Sequence, residues 1–266
     1  VQGMQALAEE LGVQFQFEQD VKEIVIEGDR AKKVITQQAV FDADVVISGA
    51  DYHFTESALL PPAYRSYTEG YWDKKVLAPS CLMYYVGLNK KLDNVLHHSL
   101  FFDVPFNQHA DEIYAQPQWP TEPLFYLSVS SKTDNTVAPE GCENLVFLIP
   151  VASGLQQDSD EVRQYYFNLI VKRLEQHTGQ NIHDSIVYQK AFAVSDFEKD
   201  YNAFKGNAYG LANTLMQTAI LRPSCQSKKV SNLFYTGQFT VPGPGVPPSL
   251  ISGEVVSKQV LKRFNT

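Results

Sequence analysis

The chain has 266 residues, of which 44% are hydrophobic and 20% are charged, and its formal net charge is −8. This composition is ordinary for a globular protein, and the length suffices for one large domain or two moderate ones. The acidic balance argues against a nucleic-acid partner, which requires a basic surface, and no apolar run approaches the roughly 18 residues of a membrane-spanning helix.

The first fifty residues predict α/β-type units. Met4–Leu11 predicts a helix. Strands are predicted at Val13–Phe17, Val21–Glu27 and Ala31–Thr36, and the last two form a hairpin. The β-branched run Asp44–Ser48 predicts a buried parallel strand that is covered on both faces. The N-terminus shows no signal-peptide pattern, and because the chain starts at Val1 without an initiator Met it is interpreted as a fragment.

The middle of the chain predicts a sheet-rich unit. Short apolar runs bounded by turns predict strands at Cys81–Leu88, Leu124–Ser130, Asn144–Val151 and Ser185–Val194. Ser159–His177 has one apolar stripe and an acidic first turn, which predicts a long amphipathic helix. Leu59–Trp72 predicts a loop or short helices, and Pro105–Pro123 predicts a long irregular link.

The last unit predicts a strand, a glycine- and proline-rich turn and a helix. These segments are Leu233–Thr236, Gly237–Pro248 and Ser249–Phe264. The free N–H groups and the positive dipole end of such a helix favour an anion, and glycines let the backbone approach a flat ligand. An ordinary loop before a surface helix is equally compatible with the pattern.

No GxGxxG or GxxxxGK[ST] motif occurs in the chain. On its own residues the chain therefore cannot build a complete dinucleotide site. The cysteines Cys81, Cys142 and Cys225 lack zinc or redox spacing, so they are interpreted as free thiols. No metal site is predicted, because the neighbouring His97 and His98 would point to opposite faces of a strand.

Several short motifs occur along the chain in a fixed order. They are Gly87-Leu88-Asn89, His97-His98, Thr133-Asp134-Asn135, Ala138-Pro139-Glu140-Gly141, Phe197–Tyr201, Phe204–Gly210, Arg222-Pro223, Asn232–Gly237 and Pro242–Pro247. The chain resembles the C-terminal half of bacterial-type phytoene desaturases, the FAD-dependent carotenoid desaturases, from near residue 1 to near residue 264. The last two motifs, NLFYTG and PGPGVP, are the most specific.

The resemblance implies a mixed α/β (α+β) fold in two parts. Residues 1–56 and 226–266 would be the C-terminal parts of a discontinuous, Rossmann-like FAD-binding domain that lacks its GxGxxG unit. Residues 57–225 would form a substrate domain with a mixed or antiparallel sheet and helices. The complete protein would bind FAD, whereas this chain would bind it weakly or not at all.

The resemblance also implies which residues contact the cofactor. Val21 would place its backbone against the adenine, and Gly237 and Gln238 would lie by the pyrophosphate or ribityl chain. Relatives of the wider superfamily carry an acidic residue where this chain has Gln238. Gly245, Val246 and Pro247 would approach the pyrimidine edge of the isoalloxazine ring, where the helix start stabilises negative charge.

The implied activity is desaturation of a carotenoid, phytoene above all, by hydride transfer to the flavin. The alternatives are another isoprenoid desaturase, isomerase or saturase, or a non-catalytic module that binds an apolar ligand. A lipid-soluble substrate implies a cytoplasmic enzyme at a membrane surface. No catalytic side chain and no oligomeric state is assigned.

Three groups of side chains leave their roles open. Phe197, Tyr201, Phe204 and Tyr209 could line a substrate tunnel or belong to the core. The aromatic residues Tyr64, Tyr67, Tyr71 and Trp72 could touch a membrane interface or pack internally. Arg222 could be a polar group in the substrate domain, although a helix cap or a surface pair is favoured.

Overall fold

A computed structural model describes residues 1–264. Its helices are α1 (Gln2–Glu10), α2 (Tyr52–Ala58), α3 (Glu69–Asp73), α4 (Phe106–Tyr114), α5 (Asp160–Thr178), α6 (Val194–Tyr201) and α7 (Val246–Phe264). Its strands are β1 (Val21–Glu27), β2 (Arg30–Thr36), β3 (Val40–Asp42), β4 (Val46–Ser48), β5 (Ser80–Leu88), β6 (His98–Phe101), β7 (Phe125–Ser128), β8 (Glu143–Val151), β9 (Ile186–Phe192) and β10 (Leu233–Tyr235). The mixed α/β class is confirmed.

The N-terminal segment, residues 1–20, packs less against the rest of the chain than the sequence predicts. Helix α1 buries none of its residues. The predicted strand Val13–Phe17 is wrong, because this segment runs irregularly from α1 to β1. Phe15 and Phe17 are exposed and stack on each other with ring centroids 5.9 Å apart. Alternating apolar residues form a strand only where a partner edge accepts the backbone hydrogen bonds, and no such partner pairs with this segment among residues 1–264.

The predicted hairpin is confirmed as β1 and β2, to which β3 adds an antiparallel edge. Asn232 ties this sheet to the rest of the fold. Its side-chain oxygen accepts from the N–H of Ala31 at 2.7 Å, and its amide donates to the carbonyls of Ala31 and Asp44 at 2.8 and 2.7 Å. One buried amide thus satisfies backbone groups that lie some two hundred residues away in the sequence.

Strands β4 and β10 form a two-stranded parallel sheet in which Val46 pairs with Leu233 and Ser48 with Tyr235. The prediction of a parallel strand in this region is confirmed, but coverage on both faces is wrong for residues 1–264. Ile47 is 48% exposed while its neighbour Val46 is buried. Only one face of β4 is therefore packed by the described chain.

Helix α2 and the segments after it cover one face of β10, whose residues are all buried. The ring of Tyr52 stacks on that of Tyr235 with centroids 3.8 Å apart, and Trp72 lies 5.5 Å from Tyr52. Trp72 is buried, and Tyr67 and Tyr71 pack against it. These aromatic residues pack in the core, so of the two alternatives for this group the structure supports internal packing.

The middle of the chain forms an antiparallel sheet in the order β6-β7-β8-β5-β9, which confirms the four predicted strands. Buried and half-buried residues alternate along β8, so one of its faces is the core face. Helix α5 packs on this core, where Phe167 lies 5.1 Å from the ring of Tyr84. Ser159 caps its start and Gly179, with φ of 69°, ends it.

The predicted irregular link Pro105–Pro123 is wrong over its first half, which is α4. Glu112 on this helix is buried, and its carboxylate accepts from the backbone N–H and the hydroxyl of Thr121 and from the amide of Gln118. The helix is stabilised by these tertiary contacts, which its short and polar sequence does not predict. Helix α7 begins at Val246, three residues before the predicted start.

Candidate functional site

A cleft of about 550 Å³ opens at the carboxyl ends of the parallel strands β4 and β10. Ligands of open α/β sheets bind in crevices outside these ends of the strands. The lining residues are Gly49, Ala50, Asp51, Tyr52, Phe197, Tyr201, Ala203, Asn207, Ala208, Thr236, Gly237, Gln238, Phe239 and Ser249. They come from four separate parts of the sequence, and only the fold brings them together.

Asp51 is the one carboxylate among these lining residues. It caps α2, where one oxygen accepts from the N–H of Phe54, and the other oxygen accepts from the N–H of Phe204, both at 3.0 Å. Burial raises the pKa of the Asp51 carboxyl, and the two N–H groups oppose that rise. Sequence reasoning did not select this residue, although an acidic residue after a strand and before a helix was a usable signal.

The loop after β10 is fixed by a buried serine of α7. Ser252 accepts from the N–H of Gly237 at 3.0 Å and shares hydrogen bonds with the hydroxyls of Thr236 and Thr240. Gly237 has φ of 102°, and no atom lies within 4 Å of the position that a Cβ would take. The glycine thus leaves open space at the cleft, and its own N–H is already engaged.

Gln238 lies between the cleft and the interior. Its side-chain amide donates to Asn207 at 3.2 Å, and its carbonyl accepts from the Nη1 of Arg222 at 3.0 Å. Arg222 is buried and forms no ion pair among residues 1–264, so the predicted surface pair is wrong. The other favoured role has support, because its backbone N–H caps the short helix Ala219–Leu221.

The predicted ring-edge residues lie at the start of α7. Gly245 has φ of 116°, and its carbonyl accepts from the N–H of Ser249, which lines the cleft. Gly245, Val246 and Pro247 are themselves exposed and border the cleft without lining it. Proline suits the first turn of a helix, where its missing N–H has no intrahelical partner.

The four aromatic candidates separate into three environments. Phe197 and Tyr201 of α6 line the cleft. Phe204 packs internally, with its ring 4.1 Å from that of His53. Tyr209 lines a different cavity. Val21, the predicted adenine contact, lies in β1 and packs against the hydrophobic core away from the cleft lining.

Two apolar cavities lie beside the five-stranded sheet. One has a volume of about 610 Å³ and is lined by Val76, Ala78, Pro79, Tyr114, Tyr209, Leu211, Ala212, Asn213, Thr214 and Pro244. The other has a volume of about 210 Å³ and is lined by Pro79, Leu100, Phe102, Phe106, His109, Ala110, Ile113, Tyr114, Leu124, Phe125, Tyr126 and Pro150. They share Pro79 and Tyr114, so they adjoin each other. The sequence did not predict the smaller cavity, because α4 supplies much of its wall.

The adjacent histidines are held by separate hydroxyl groups. The Nδ1 of His97 contacts Thr133 and the Nδ1 of His98 contacts the phenol of Tyr126, each at 2.6 Å. Their rings are nevertheless only 4.1 Å apart, so the prediction that they point to opposite faces of a strand is wrong. Among residues 1–264 no group of three or more candidate ligands is arranged for a metal ion.

Comparison with known proteins gives a consistent picture. A family model described as flavin containing amine oxidoreductase matches residues 2–261. A carotenoid 3,4-desaturase from Haloarcula japonica is 43% identical over 266 residues, which are 98% of this chain and 53% of that protein. A phytoene desaturase from Phycomyces blakesleeanus is 31% identical over 271 residues, which are 96% of this chain and 46% of that protein. The chain spans about half the length of the curated relatives that it matches.

Solved structures share the fold at low sequence identity. An oxidoreductase from Methanosarcina mazei matches with a TM-score of 0.63 and 13% identity, over 96% of this chain and 52% of that one. Cyclohexylamine oxidase from Brevibacterium oxydans matches with a TM-score of 0.55 and 12% identity, over 95% of this chain and 50% of that one. With the sequence match over nearly the whole chain, the conclusion is that this chain belongs to the flavin-containing amine oxidoreductase family.

Proposed function

We propose that the full-length protein carrying this chain is an FAD-dependent carotenoid desaturase that acts on phytoene, and that the chain alone is inactive. The observation that carries the proposal is the cleft beyond β4 and β10, where an open glycine loop faces the aromatic rings of Phe197 and Tyr201. Support comes from the relatives, which are named as desaturases of carotenoids. Bound FAD would supply a ring nitrogen that accepts a hydride.

The residues around the cleft fit a flat, anionic cofactor. Gly237 offers room where any other residue would place a Cβ, and Gln238 offers an amide beside it. We assign these two residues to the pyrophosphate or ribityl chain. We assign Gly245, Val246 and Pro247, at the positive end of α7, to the pyrimidine edge of the ring.

Val21 is assigned, through its backbone, to the adenine. Its place in β1, apart from the cleft lining, requires the cofactor to extend from the cleft toward the β1–β2 hairpin. Residues 1–56 and 226–266 are proposed to belong to the cofactor domain and residues 57–225 to the substrate domain. In support, the buried core of the five-stranded sheet lies wholly within residues 82–194.

The chain's own residues would bind and orient the polyene. The two apolar cavities that adjoin at Pro79 and Tyr114 would offer apolar walls along which a hydrocarbon chain could lie. Tyr209 lines the larger cavity, and Phe197 and Tyr201 line the cleft. Phe204 supports them from the core. The proton that leaves the neighbouring carbon passes to a base or to water.

A second candidate is favoured by one comparison. The 43% identical relative is named a carotenoid 3,4-desaturase, so the substrate could be a carotenoid other than phytoene. Desaturation, isomerisation or saturation of another isoprenoid is the wider form of this alternative. Product analysis after incubation with phytoene, lycopene and other carotenoids separates these activities. For the isolated chain the alternative is a non-catalytic module that binds an apolar ligand.

The substrate requires access from a lipid phase, and we propose that the protein is cytoplasmic and attaches peripherally to a membrane surface. The turn 215–221 supports this placement, since Leu215 is 86% and Ile220 is 95% exposed. Gln217 between them is buried, and its side chain bonds the backbone N–H and carbonyl of Val76 at 3.0 and 2.8 Å. The turn is thereby held with apolar side chains outward, beside the larger apolar cavity. Within residues 1–264 no helix is long and apolar enough to span a bilayer.

Flotation with phospholipid vesicles tests the attachment. We expect the double variant Leu215→Ser/Ile220→Ser to lose at least about tenfold in vesicle partitioning, because each buried apolar side chain contributes roughly 1.5–3 kcal/mol. Val187→Ser on the exposed side of β9 is the matched control and should partition as the unchanged protein does. Equal partitioning of all three proteins would show that the turn is not the attachment site.

Two measurements test the activity. The full-length protein should bind FAD non-covalently and convert phytoene in liposomes to a conjugated polyene that absorbs visible light. A protein that holds FAD and yields no such absorbance would contradict the proposed activity. The 266-residue chain should bind FAD weakly, because no GxGxxG unit occurs in it. Tight, stoichiometric binding by this chain would contradict the proposal that a complete FAD site also needs a GxGxxG unit, which this chain does not contain.

A further inference from the structure

Arg222 is a buried cation behind the candidate flavin loop. It follows the short turn Ala219–Leu221 and is only 5% exposed. Its Nη1 donates to the carbonyl of Gln238 at 3.0 Å, and its Nη2 donates to the side chain of Asn213 at 2.6 Å and to the carbonyl of Leu211 at 3.3 Å. All three acceptors are neutral, so these bonds orient the guanidinium without balancing its charge.

The charge of Arg222 is uncompensated within the described chain. Among residues 1–264 no carboxylate forms an ion pair with it, and its Nε is a buried side-chain atom without a hydrogen-bond partner. Burial lowers the pKa of the Arg222 guanidinium, but arginine remains a cation in proteins. Buried charges are normally paired because an unpaired one is costly. Such a cost is retained where the charge has a use.

The position of Arg222 indicates that use. Gln238, whose carbonyl it holds, lines the cleft. Gly243 has φ of 130°, which favours glycine, and a Cβ there would lie 3.0 Å from Nη2, so the proline-rich loop passes close to the guanidinium. On its other side, Leu211 and Asn213 line the larger apolar cavity. The cation therefore lies between the candidate cofactor cleft and the larger apolar cavity, and it is hydrogen-bonded to a wall residue of each.

We propose that Arg222 is a positioning residue that holds the Gln238–Gly243 loop in place and favours reduction of the flavin through its fixed positive charge. The inference rests on the proposed function. In the desaturation, one carbon of the substrate gives a hydride to oxidised FAD and the adjacent carbon loses a proton as the double bond forms. FAD gains two electrons and one proton, so the ring gains one negative charge. A fixed cation nearby stabilises that charge without any reorganisation.

The substitution Asn213→Asp tests the charge without removing Arg222. It places a carboxylate at the atom that now lies 2.6 Å from Nη2, and it preserves side-chain shape. In the 266-residue chain, which requires no cofactor for this measurement, the new ion pair should raise the melting temperature by on the order of 3 °C. A lower melting temperature would show that Arg222 does not need a counterion.

In the FAD-loaded full-length protein the same variant should stabilise the fold but make reduction of the cofactor less favourable. Neutralising the cation should lower the reduction potential of the flavin. It should also weaken binding of sulfite, a nucleophile that leaves negative charge on the ring, by about tenfold, the lower end of what one neighbouring charge does to an ionisation. Arg222→Met should also lower the reduction potential and weaken sulfite binding. Arg222→Lys keeps the positive charge, so its potential should be close to that of the unaltered protein.

Arg173→Met removes an arginine of α5 that pairs with Asp103, and it controls for destabilisation alone. It should lower the melting temperature and leave the potential and sulfite affinity unchanged. If Asn213→Asp and Arg222→Met both bind FAD with an unchanged potential, the charge role of Arg222 is wrong while the proposed function stands. If the unaltered full-length protein binds no FAD, the proposed function fails and this inference fails with it.

Discussion

Glu56 offers a direct test of how the cleft is supported from behind. Its carboxylate is buried on α2, where Oε1 accepts from the N–H of Ser66 at 2.9 Å and from the phenol of Tyr235 at 3.0 Å, and Oε2 accepts from the N–H of Tyr67 at 3.1 Å. Tyr235 is the last residue of β10, directly before the loop that lines the cleft. A change at Glu56 therefore acts on the fold and on the cleft wall together.

The magnitude follows from the donors that lose their acceptor. Each buried donor left unsatisfied costs about 1–3 kcal/mol, and water that enters the vacated space recovers part of this cost. With three donors, we expect Glu56→Ala to lower the free energy of unfolding by about 4 kcal/mol. Glu56→Gln keeps one oxygen and turns an amide N–H toward one of the donors, so we expect a loss of about 2 kcal/mol.

Urea unfolding followed by tryptophan fluorescence measures the effect, since Trp72 lies in the same core cluster. The matched control is Glu122→Gln at an exposed position, which should change stability by no more than about 0.5 kcal/mol. A double-mutant cycle of Glu56→Gln with Tyr235→Phe isolates their shared hydrogen bond. A Glu56→Ala protein as stable as the control would refute the assignment of this carboxylate as the acceptor for Ser66, Tyr67 and Tyr235.

Two further predictions concern other buried positions. The imidazole of His109 accepts from a backbone N–H and donates to the carbonyl of Pro150, and burial lowers its pKa. The pKa of histidine in the unfolded chain is about 6.5. Burial of the neutral His109 imidazole therefore contributes to stability above about pH 6.5, and this contribution is lost as the pH falls through the lower pKa of the folded state. Urea midpoints at pH 7.5 and 5.5 should show this loss, and a His109→Asn protein with the same pH dependence would contradict it. Gly206 has φ of 58°, and a Cβ there would lie 2.4 Å from the carbonyl oxygen of Val194. Gly206→Ala should therefore cost at least about 2 kcal/mol, against a small effect of Gly70→Ala, and equal melting temperatures of the two variants would contradict that clash.

The local pattern of the chain predicts those elements that carry their own signals. Helix α5 has a serine cap, an acidic first turn and a terminal glycine, and it is found within one residue of the predicted start. Strands β5, β7, β8 and β9 are confirmed, because the short length of these apolar runs and the turn residues that bound them favour a strand over a helix. The NLFYTG and PGPGVP motifs identify the family before any contact is known.

Tertiary structure decides which patterns acquire partners. Val13–Phe17 has strand-like alternation and no partner edge among residues 1–264, whereas α4 has a polar sequence and becomes a helix through the contacts of Glu112. Gly237 and Phe197 meet in one cleft, while Phe204 and Tyr209 do not join them.

The buried environment of Arg222 is also decided only by the fold. Its acceptors, Gln238 and Asn213, lie 16 and 9 residues away, and no local pattern distinguishes them from surface partners. Periodicity and caps are local properties, so the sequence by itself determined the helices and strands that have them. Burial and hydrogen-bond satisfaction depend on distant segments that meet only after folding, as Asn232 and Ala31 do, and so the site could be read only from the tertiary structure.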